Sequence, residues 1–267
     1  MTSYDLTGRK ALVTGGARGL GAGMAEALAA AGAAVAIGDV LTDAGTETVQ
    51  SLRNSGATAE FVTLDVTDDT SWAAAVPAVV DALGGLDLVV NNAGVEITSL
   101  LVDLDPAGLR TMLDVNVLGT ALGLKHAFRA MRPGGPAGNG GAVVNISSVA
   151  ATIAFPGIAG YSATKSAIDR LTRVAAAESG KLGYGVRVNC IYPGLTPTVM
   201  GTQLAVDCAE LGLFASPEDA VATVTGLTPQ GRLGQVDDMA DAVVFLASDA
   251  AKFITGAGLP VDGGMGM

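Results

Sequence analysis

Thr14-Gly15-Gly16-Ala17-Arg18-Gly19-Leu20-Gly21 stands directly behind the apolar run 11–13 and directly ahead of a segment with helical spacing of apolar residues. Strand, glycine turn and helix in that order form the opening unit of a dinucleotide-binding fold. Gly15 permits the tight turn, Gly19 lets the backbone approach a pyrophosphate, and Gly21 allows close packing of helix on strand. The first turn of the helix supplies free N–H groups and the positive end of a dipole to the phosphates. In a chain with 37 glycines a glycine cluster alone carries little weight. Its position between a strand and a helix carries the weight here. The alternative is a tight βα turn that binds nothing.

Working outward, short apolar runs at 11–14, 34–38, 59–64, 88–90, 142–146, 186–191 and 259–261 predict seven buried strands. Their nearly continuous apolar character suits a parallel sheet covered on both faces. Between them, 20–31, 43–54, 70–83, 106–131, 161–182 and 236–248 carry helical periodicity. Strict alternation of strand and helix predicts an α/β chain over 1–267: a single Rossmann domain whose doubly wound, seven-stranded parallel sheet has helices on both faces. Two segments break the rhythm. Residues 132–141 (RPGGPAGNGG) read as a solvent-facing loop without chemistry. Residues 196–231 read as a long irregular stretch with weak helical patches at 200–213 and 217–224, placed where a substrate lid belongs.

Composition excludes several functions. With 267 residues, 49% hydrophobic, the chain can bury a sizeable core and is not disordered. A net charge of −11 argues against nucleic acid and anionic membrane as partners. No uninterrupted apolar span approaches ~20 residues, so no transmembrane helix is expected, and residues 1–10 do not read as a signal peptide. Two cysteines predict a reducing, cytoplasmic setting rather than a disulfide scaffold. His126, the only histidine, excludes a His-rich metal cluster and is expected on a helix surface or at a subunit contact. No metal site is expected. Trp72 and Met131 read as packing residues, and Asp68-Asp69 as a helix N-terminus.

Gly38-Asp39 closes the second strand about twenty residues beyond the glycine turn. A carboxylate there accepts hydrogen bonds from the adenosine ribose hydroxyls and repels a 2′-phosphate, favouring NAD over NADP. Asp39 capping the next turn is the plainer alternative. Arg18, able to pair with a 2′-phosphate, pulls the other way. Tyr161-Ser162-Ala163-Thr164-Lys165 places a phenol and an ammonium on one helix face. A nearby cation is expected to lower the tyrosine pKa, as acid–base work on an alcohol requires. Ser148, at a strand's carboxyl end, is placed to hydrogen-bond the reacting oxygen.

These residues, with Asn91-Asn92-Ala93-Gly94, Asn116 and Pro193-Gly194, occur in the order of the short-chain dehydrogenase/reductase family, which the chain resembles from residue 8 to 264. Members of that family are single-domain Rossmann enzymes that move a hydride between a nicotinamide and a carbonyl or alcohol. The resemblance implies that Tyr161 is the acid/base and that Ser148, not the competing Ser147, orients the substrate oxygen. Lys165 would also hold the nicotinamide ribose, and Asn116 would hold a water that links Lys165 to solvent. Cofactor contacts would come from Gly15, Arg18, Gly19, Leu20, Gly21, Asp39, Asp65, Val66, Asn92, Ala93, Gly94, Tyr161, Lys165, Pro193, Gly194, Thr196 and Thr198. Asn91 would steady the central sheet. Thr196 stands where a β-branched aliphatic is usual, and Pro197 removes a backbone donor beside it.

An apolar substrate wall of Val95, Val149, Phe155, Leu195, Met200 and Leu204 suits a hydrophobic cyclic or steroid-like secondary alcohol. Residues 181–189 and the Met-containing C-terminus are similar to hydroxysteroid dehydrogenases of the family. Two other readings stand beside this one. A 3-oxoacyl-carrier-protein reductase would dock its acidic carrier on Lys125, Arg129, Arg132, Arg170 and Arg173. A non-catalytic dinucleotide-binding sensor would be expected to lack part of the Asn–Ser–Tyr–Lys set. The apolar-faced helices at 106–131 and 161–182 suggest a homotetramer or homodimer.

Overall fold

The computed structural model describes residues 4–267; the start of the 1–10 segment lies outside the described residues. Seven strands, β1 (Lys10–Thr14), β2 (Ala34–Asp39), β3 (Ala59–Thr63), β4 (Leu88–Asn91), β5 (Gly141–Ile146), β6 (Val186–Pro193) and β7 (Gly258–Val261), form one sheet in the order β3-β2-β1-β4-β5-β6-β7. Every pairing is parallel. The strand order reverses between β1 and β4, which opens the crevice where doubly wound sheets bind ligands.

The period of two along each strand divides the core. Ala11 and Val13 of β1, Val35 and Ile37 of β2, and Leu88 and Val90 of β4 pack beneath α1 (Gly19–Ala30), α2 (Thr42–Asn54) and α9 (Val236–Ala247). Leu12, Ala36 and Val89 face the opposite way, toward α3 (Asp69–Leu83), α5 (Gly119–Met131) and α6 (Ala159–Leu182). Both faces are covered, so the strands are apolar at nearly every position. Burial of each large aliphatic side chain contributes about 1.5–3 kcal/mol.

The helix expected over 106–131 is interrupted. α4 (Pro106–Met112) runs into a π-helical turn, Leu113–Leu118, before α5 begins. The inserted residue rotates the register, and Asn116, fully buried, lies in that turn. Residues 196–231 are not an irregular stretch but two helices at the expected weak patches: α7 (Val199–Glu210) is capped by Thr198 and α8 (Pro217–Leu227) by Ser216. Loop 132–141 folds back on α5, with Ala137 and Gly138 N–H donating to Ala130 O and Gly140 N–H to Met131 O. It therefore satisfies the helix's last carbonyls.

His126 is not on the surface. It is buried, its Nε2 lies 2.7 Å from Asp69 Oδ1, and its ring stacks on Trp72 at 5.9 Å. Asp69 also binds Lys125 Nζ, and these partners hold its carboxyl down to about 2. Trp72 is a packing residue as expected; its Nε1–H donates to Val66 O at 3.0 Å. Asp68 caps α3 through Thr70 N–H. No helix among the described residues is long and apolar enough to cross a membrane.

Candidate active site

Thr14, the last residue of β1, ties the crevice together. Its hydroxyl accepts from Asn92 N–H at 3.0 Å and Ala93 N–H at 3.1 Å, while Asn92 Nδ2 donates to the carbonyls of Thr14 and Gly15. The glycine turn is thereby locked against the loop after β4. Two glycines show why nothing larger is accommodated. Gly15 has φ +61°, and a Cβ there would stand 2.8 Å from Ala93 Cα. A Cβ on Gly21 would collide with Gly15 O and Asn92 Nδ2.

The carboxyl ends of the strands and their following loops enclose a cleft of about 930 Å³. Its wall contains every residue expected from the sequence to meet a cofactor, from Gly15 and Arg18 through Asp39, Asp65 and Val66 to Asn92–Gly94, Pro193, Gly194, Thr196 and Thr198. Val95, Val149, Phe155, Leu195, Met200 and Leu204 line it as well, with Ser148, Tyr161 and Lys165. Asn116 does not reach the wall. It lies behind it, accepting from Val95 N–H at 2.8 Å and donating to Val95 O and Thr164 Oγ1 at 2.9 and 3.0 Å.

At one end of the cleft, Asp39 is nearly buried, with Oδ2 accepting from Ala17 N–H and Oδ1 from Leu41 N–H, both at 3.0 Å. Turn capping is thus one of its tasks, and these two bonds also fix the carboxylate at the rim. Asp65 Oδ1 is engaged by Thr67 N–H and Oγ1. The glycine cradle, the α1 N-terminus and an oriented carboxylate together fit a dinucleotide: there is room for a backbone-hugging pyrophosphate and an acceptor for ribose hydroxyls.

At the other end, the two serines separate. Ser147 Oγ donates to Lys165 O at 2.8 Å and is spent on packing α6 against β5. Ser148 stands beside the Tyr161 phenol, its Oγ oriented by Ala150 N–H at 3.1 Å. Lys165 is buried, its Nζ donating to Ile146 O at 2.8 Å and lying 5.4 Å from the Tyr161 ring centroid. Gly94 leaves room for this group, since a Cβ would come within 3.5 Å of Lys165 Nζ and 3.3 Å of Asn116 Oδ1.

The expected lowering of the tyrosine pKa is not seen. Desolvation pushes Tyr161 up to about 12, aided by Glu96 and opposed by the Ser148 hydroxyl. Tyr161 retains some surface as a residue, but its hydroxyl is at the desolvated floor of the cleft. Burial also lowers Lys165 to about 8. The ammonium is turned to a main-chain carbonyl, and burial of the phenol is the dominant influence on Tyr161.

Three features escaped the sequence reading. Thr14 acts through its hydroxyl. Asn91 was expected to steady the central sheet, but its partners were not foreseen: its Nδ2 donates to Asn145 Oδ1 at 2.8 Å, bridging β4 and β5, and Asn145 Nδ2 donates to Thr172 Oγ1 of α6 at 2.9 Å. Glu96 lines the largely apolar end of the cleft, where burial and Asp207 raise its carboxyl to about 7. A raised carboxyl binds more protons folded than unfolded between its ordinary value and 7, so stability falls as pH rises through that window. Glu96→Gln is therefore expected to raise Tm by a few degrees at pH 8 and by much less at pH 5. Equal shifts in thermal melts at both pH values would contradict this.

A family model described as Enoyl-(Acyl carrier protein) reductase matches residues 15–266. A cis-4-hydroxycyclohexanecarboxylate dehydrogenase of Sinomonas cyclohexanicum is 40% identical over 259 residues, 96% of each chain. A 2,5-dichloro-2,5-cyclohexadiene-1,4-diol dehydrogenase of Sphingobium indicum is 39% identical, covering 97% of this chain and 96% of its own. A 3-alpha-(or 20-beta)-hydroxysteroid dehydrogenase of Mycobacterium tuberculosis is 38% identical, covering 98% and 91%. Among solved structures, an NAD+-bound xylitol dehydrogenase superposes with a TM-score of 0.92 at 31% identity over 97% of this chain and 99% of that one. A gluconate 5-dehydrogenase of Burkholderia cenocepacia, in complex with NADP and tartrate, gives 0.84 at 32% identity over 98% and 97%. The carrier-docking cations of the reductase alternative are partly engaged within the chain, Lys125 by Asp69 and Arg173 by Asp169.

Proposed function

The chain belongs to the short-chain dehydrogenase/reductase family and is an oxidoreductase of the alcohol dehydrogenase type, and from that premise we propose that it is an NAD-linked enzyme interconverting a secondary alcohol and a ketone on a hydrophobic ring. The observation that carries this reading is the convergence of Ser148, Tyr161 and Lys165 on the floor of one cleft whose far rim holds Asp39. The relatives named as acting on cyclohexane rings and steroids support a cyclic substrate.

The nicotinamide, when bound, accepts hydride at C4 in oxidation and returns it in reduction. The cradle from Gly15 to Gly21 and the α1 N-terminus would hold the pyrophosphate, Asp39 the adenosine ribose, and Asp65 and Val66 the adenine. Pro193, Gly194, Thr196 and Thr198 would orient the carboxamide. Thr198 Oγ1 accepts from Gly201 N–H at 3.2 Å, which leaves its hydroxyl proton available as a donor. Ser148 and Tyr161 hydroxyls hold the substrate oxygen between them. In oxidation Tyr161 takes the hydroxyl proton; in reduction it returns that proton to the oxygen. Lys165 helps by its charge and by binding the nicotinamide ribose, with Asn116 behind it as part of the proton path. α7 and α8 form the lid over the substrate end, and exposed Leu113 and Leu118 of the π turn and Val174 of α6 favour a homo-oligomer.

A panel of cycloalkanols, steroid alcohols, sugars and 3-hydroxyacyl thioesters tested with NAD is expected to give highest kcat/KM on the ring alcohols. Preference for acyl thioesters would replace this reading with the carrier-protein reductase.

A further inference from the structure

Glu96 is the acidic side chain at the largely apolar substrate end of the cleft, where Gln203, its amide donating to Asp207, is the other polar lining group, and the proton chemistry of Ser148, Tyr161 and Lys165 does not use it. Glu96 lies in the loop after β4, on the wall shared with Ile153, Phe155, Ile158 and Leu204. Its backbone approach is rigid, because Asn116 clamps both the N–H and the C=O of Val95, immediately before it, at 2.8 and 2.9 Å. Thr98 Oγ1 donates a single proton shared between Oε1 at 3.0 Å and Oε2 at 2.9 Å. A carboxylate offers about four lone-pair sites, and no other side-chain donor reaches it among the described residues. The titratable groups around it are Tyr161 on α6 and Asp207 and Cys208 on α7. None is a cation, so no protein charge pairs with it. A half-desolvated acceptor in this state gains most from a donor brought by a ligand and is most hostile to a second anion.

We propose that Glu96 is a specificity-determining residue: its carboxyl accepts a hydrogen bond from a second hydroxyl on a neutral cyclic alcohol and disfavours ring alcohols that carry a carboxylate. This rests on the secondary-alcohol reading of the same cleft. The clamp by Asn116 and the bond from Thr98 fix the carboxyl before substrate arrives, so little ordering is lost when the second hydroxyl binds. A site built to hydrogen-bond a hydroxyl discriminates strongly against the analogue that lacks it, because the buried acceptor is then left unpaired.

The test compares kcat/KM, with saturating NAD at pH 8, for cyclohexanol, the isomeric cyclohexanediols and 4-hydroxycyclohexanecarboxylate. In the unmodified enzyme at least one diol is expected to exceed cyclohexanol by about tenfold or more. Glu96→Met should bring that ratio close to one, chiefly by raising KM for the diol. Glu96→Gln, which keeps the shape and removes the charge, should raise kcat/KM for the carboxylate relative to cyclohexanol by about tenfold. It also decides the matter if the Met variant does not fold. A diol ratio unchanged in Glu96→Met, no diol preference at all, or a carboxylate ratio unmoved in Glu96→Gln would overturn the assignment while leaving cyclohexanol oxidation as evidence for the dehydrogenase. Absence of turnover on every alcohol would remove both readings together.

Discussion

Tyr161→Phe is expected to lower kcat for alcohol oxidation by about 10³-fold or more while NADH binding, followed by quenching or fluorescence enhancement, stays intact. The phenyl ring preserves the packing beside Lys165, and only the hydroxyl that carries the proton is lost. Ser148 alone cannot substitute, because an aliphatic hydroxyl is a far weaker acid than a phenol and does not supply a phenolate-like base. Loss of both activity and NADH binding would mean that the substitution disturbed the cleft. Retention of activity would remove Tyr161 as the proton-transfer group.

The same hydroxyl sets a pH dependence. With its pKa raised to about 12 in the free chain, Tyr161 is a proton donor at neutral pH, the form that ketone reduction requires. Oxidation needs the phenolate, so kcat/KM for the alcohol should climb with pH on the alkaline side, whereas reduction should be favoured toward neutral pH. Lys165, lowered to about 8, loses its cation over part of the same range, which blunts the rise above that value.

Much of this geometry is legible in the sequence because a central parallel strand is buried on both faces and therefore reads as an uninterrupted apolar run. The carboxyl ends of those runs mark where ligands bind, which is why Asp39 and Ser148 could be placed on one cleft from their positions, whereas Pro193 entered through the family resemblance. What escaped depends on partners distant in the chain. The ring of His126 is buried because Asp69, 57 residues earlier, supplies a carboxylate, and helical periodicity carries no trace of that. The π turn at Leu113–Leu118 shifts register by one residue inside a pattern that is still helical. The weak helical patch at 217–224 is α8, for which Ser216-Pro217-Glu218-Asp219 supplies a capping residue, a first-turn proline and two acids. Glu96 was overlooked because the apolar residues around it set the expectation for the pocket, although a lone carboxylate between Val95 and Ile97 was visible.

Asp39→Ser is expected to shift the ratio of kcat/KM for NAD to that for NADP toward NADP by about 100-fold. Two effects add. A charged acceptor for the ribose hydroxyls is lost, which costs about 1.5–3 kcal/mol on NAD, and a carboxylate that repels a 2′-phosphate disappears. Arg18, exposed in the glycine turn and without a side-chain partner among the described residues, is then free to pair with the phosphate. Arg18→Ala in the Asp39→Ser background should therefore take back most of the gain with NADP and leave NAD nearly unaffected. The carboxylate also receives Ala17 and Leu41 N–H, so the substitution loosens the turn, and Tm falls whichever cofactor is used. That general loss lowers both kcat/KM values together, whereas the ratio isolates the ribose contact. An unmodified enzyme that turns over NADP faster than NAD, or a ratio indifferent to Asp39→Ser, would leave turn capping as the whole role of this carboxylate and give cofactor selection to Arg18.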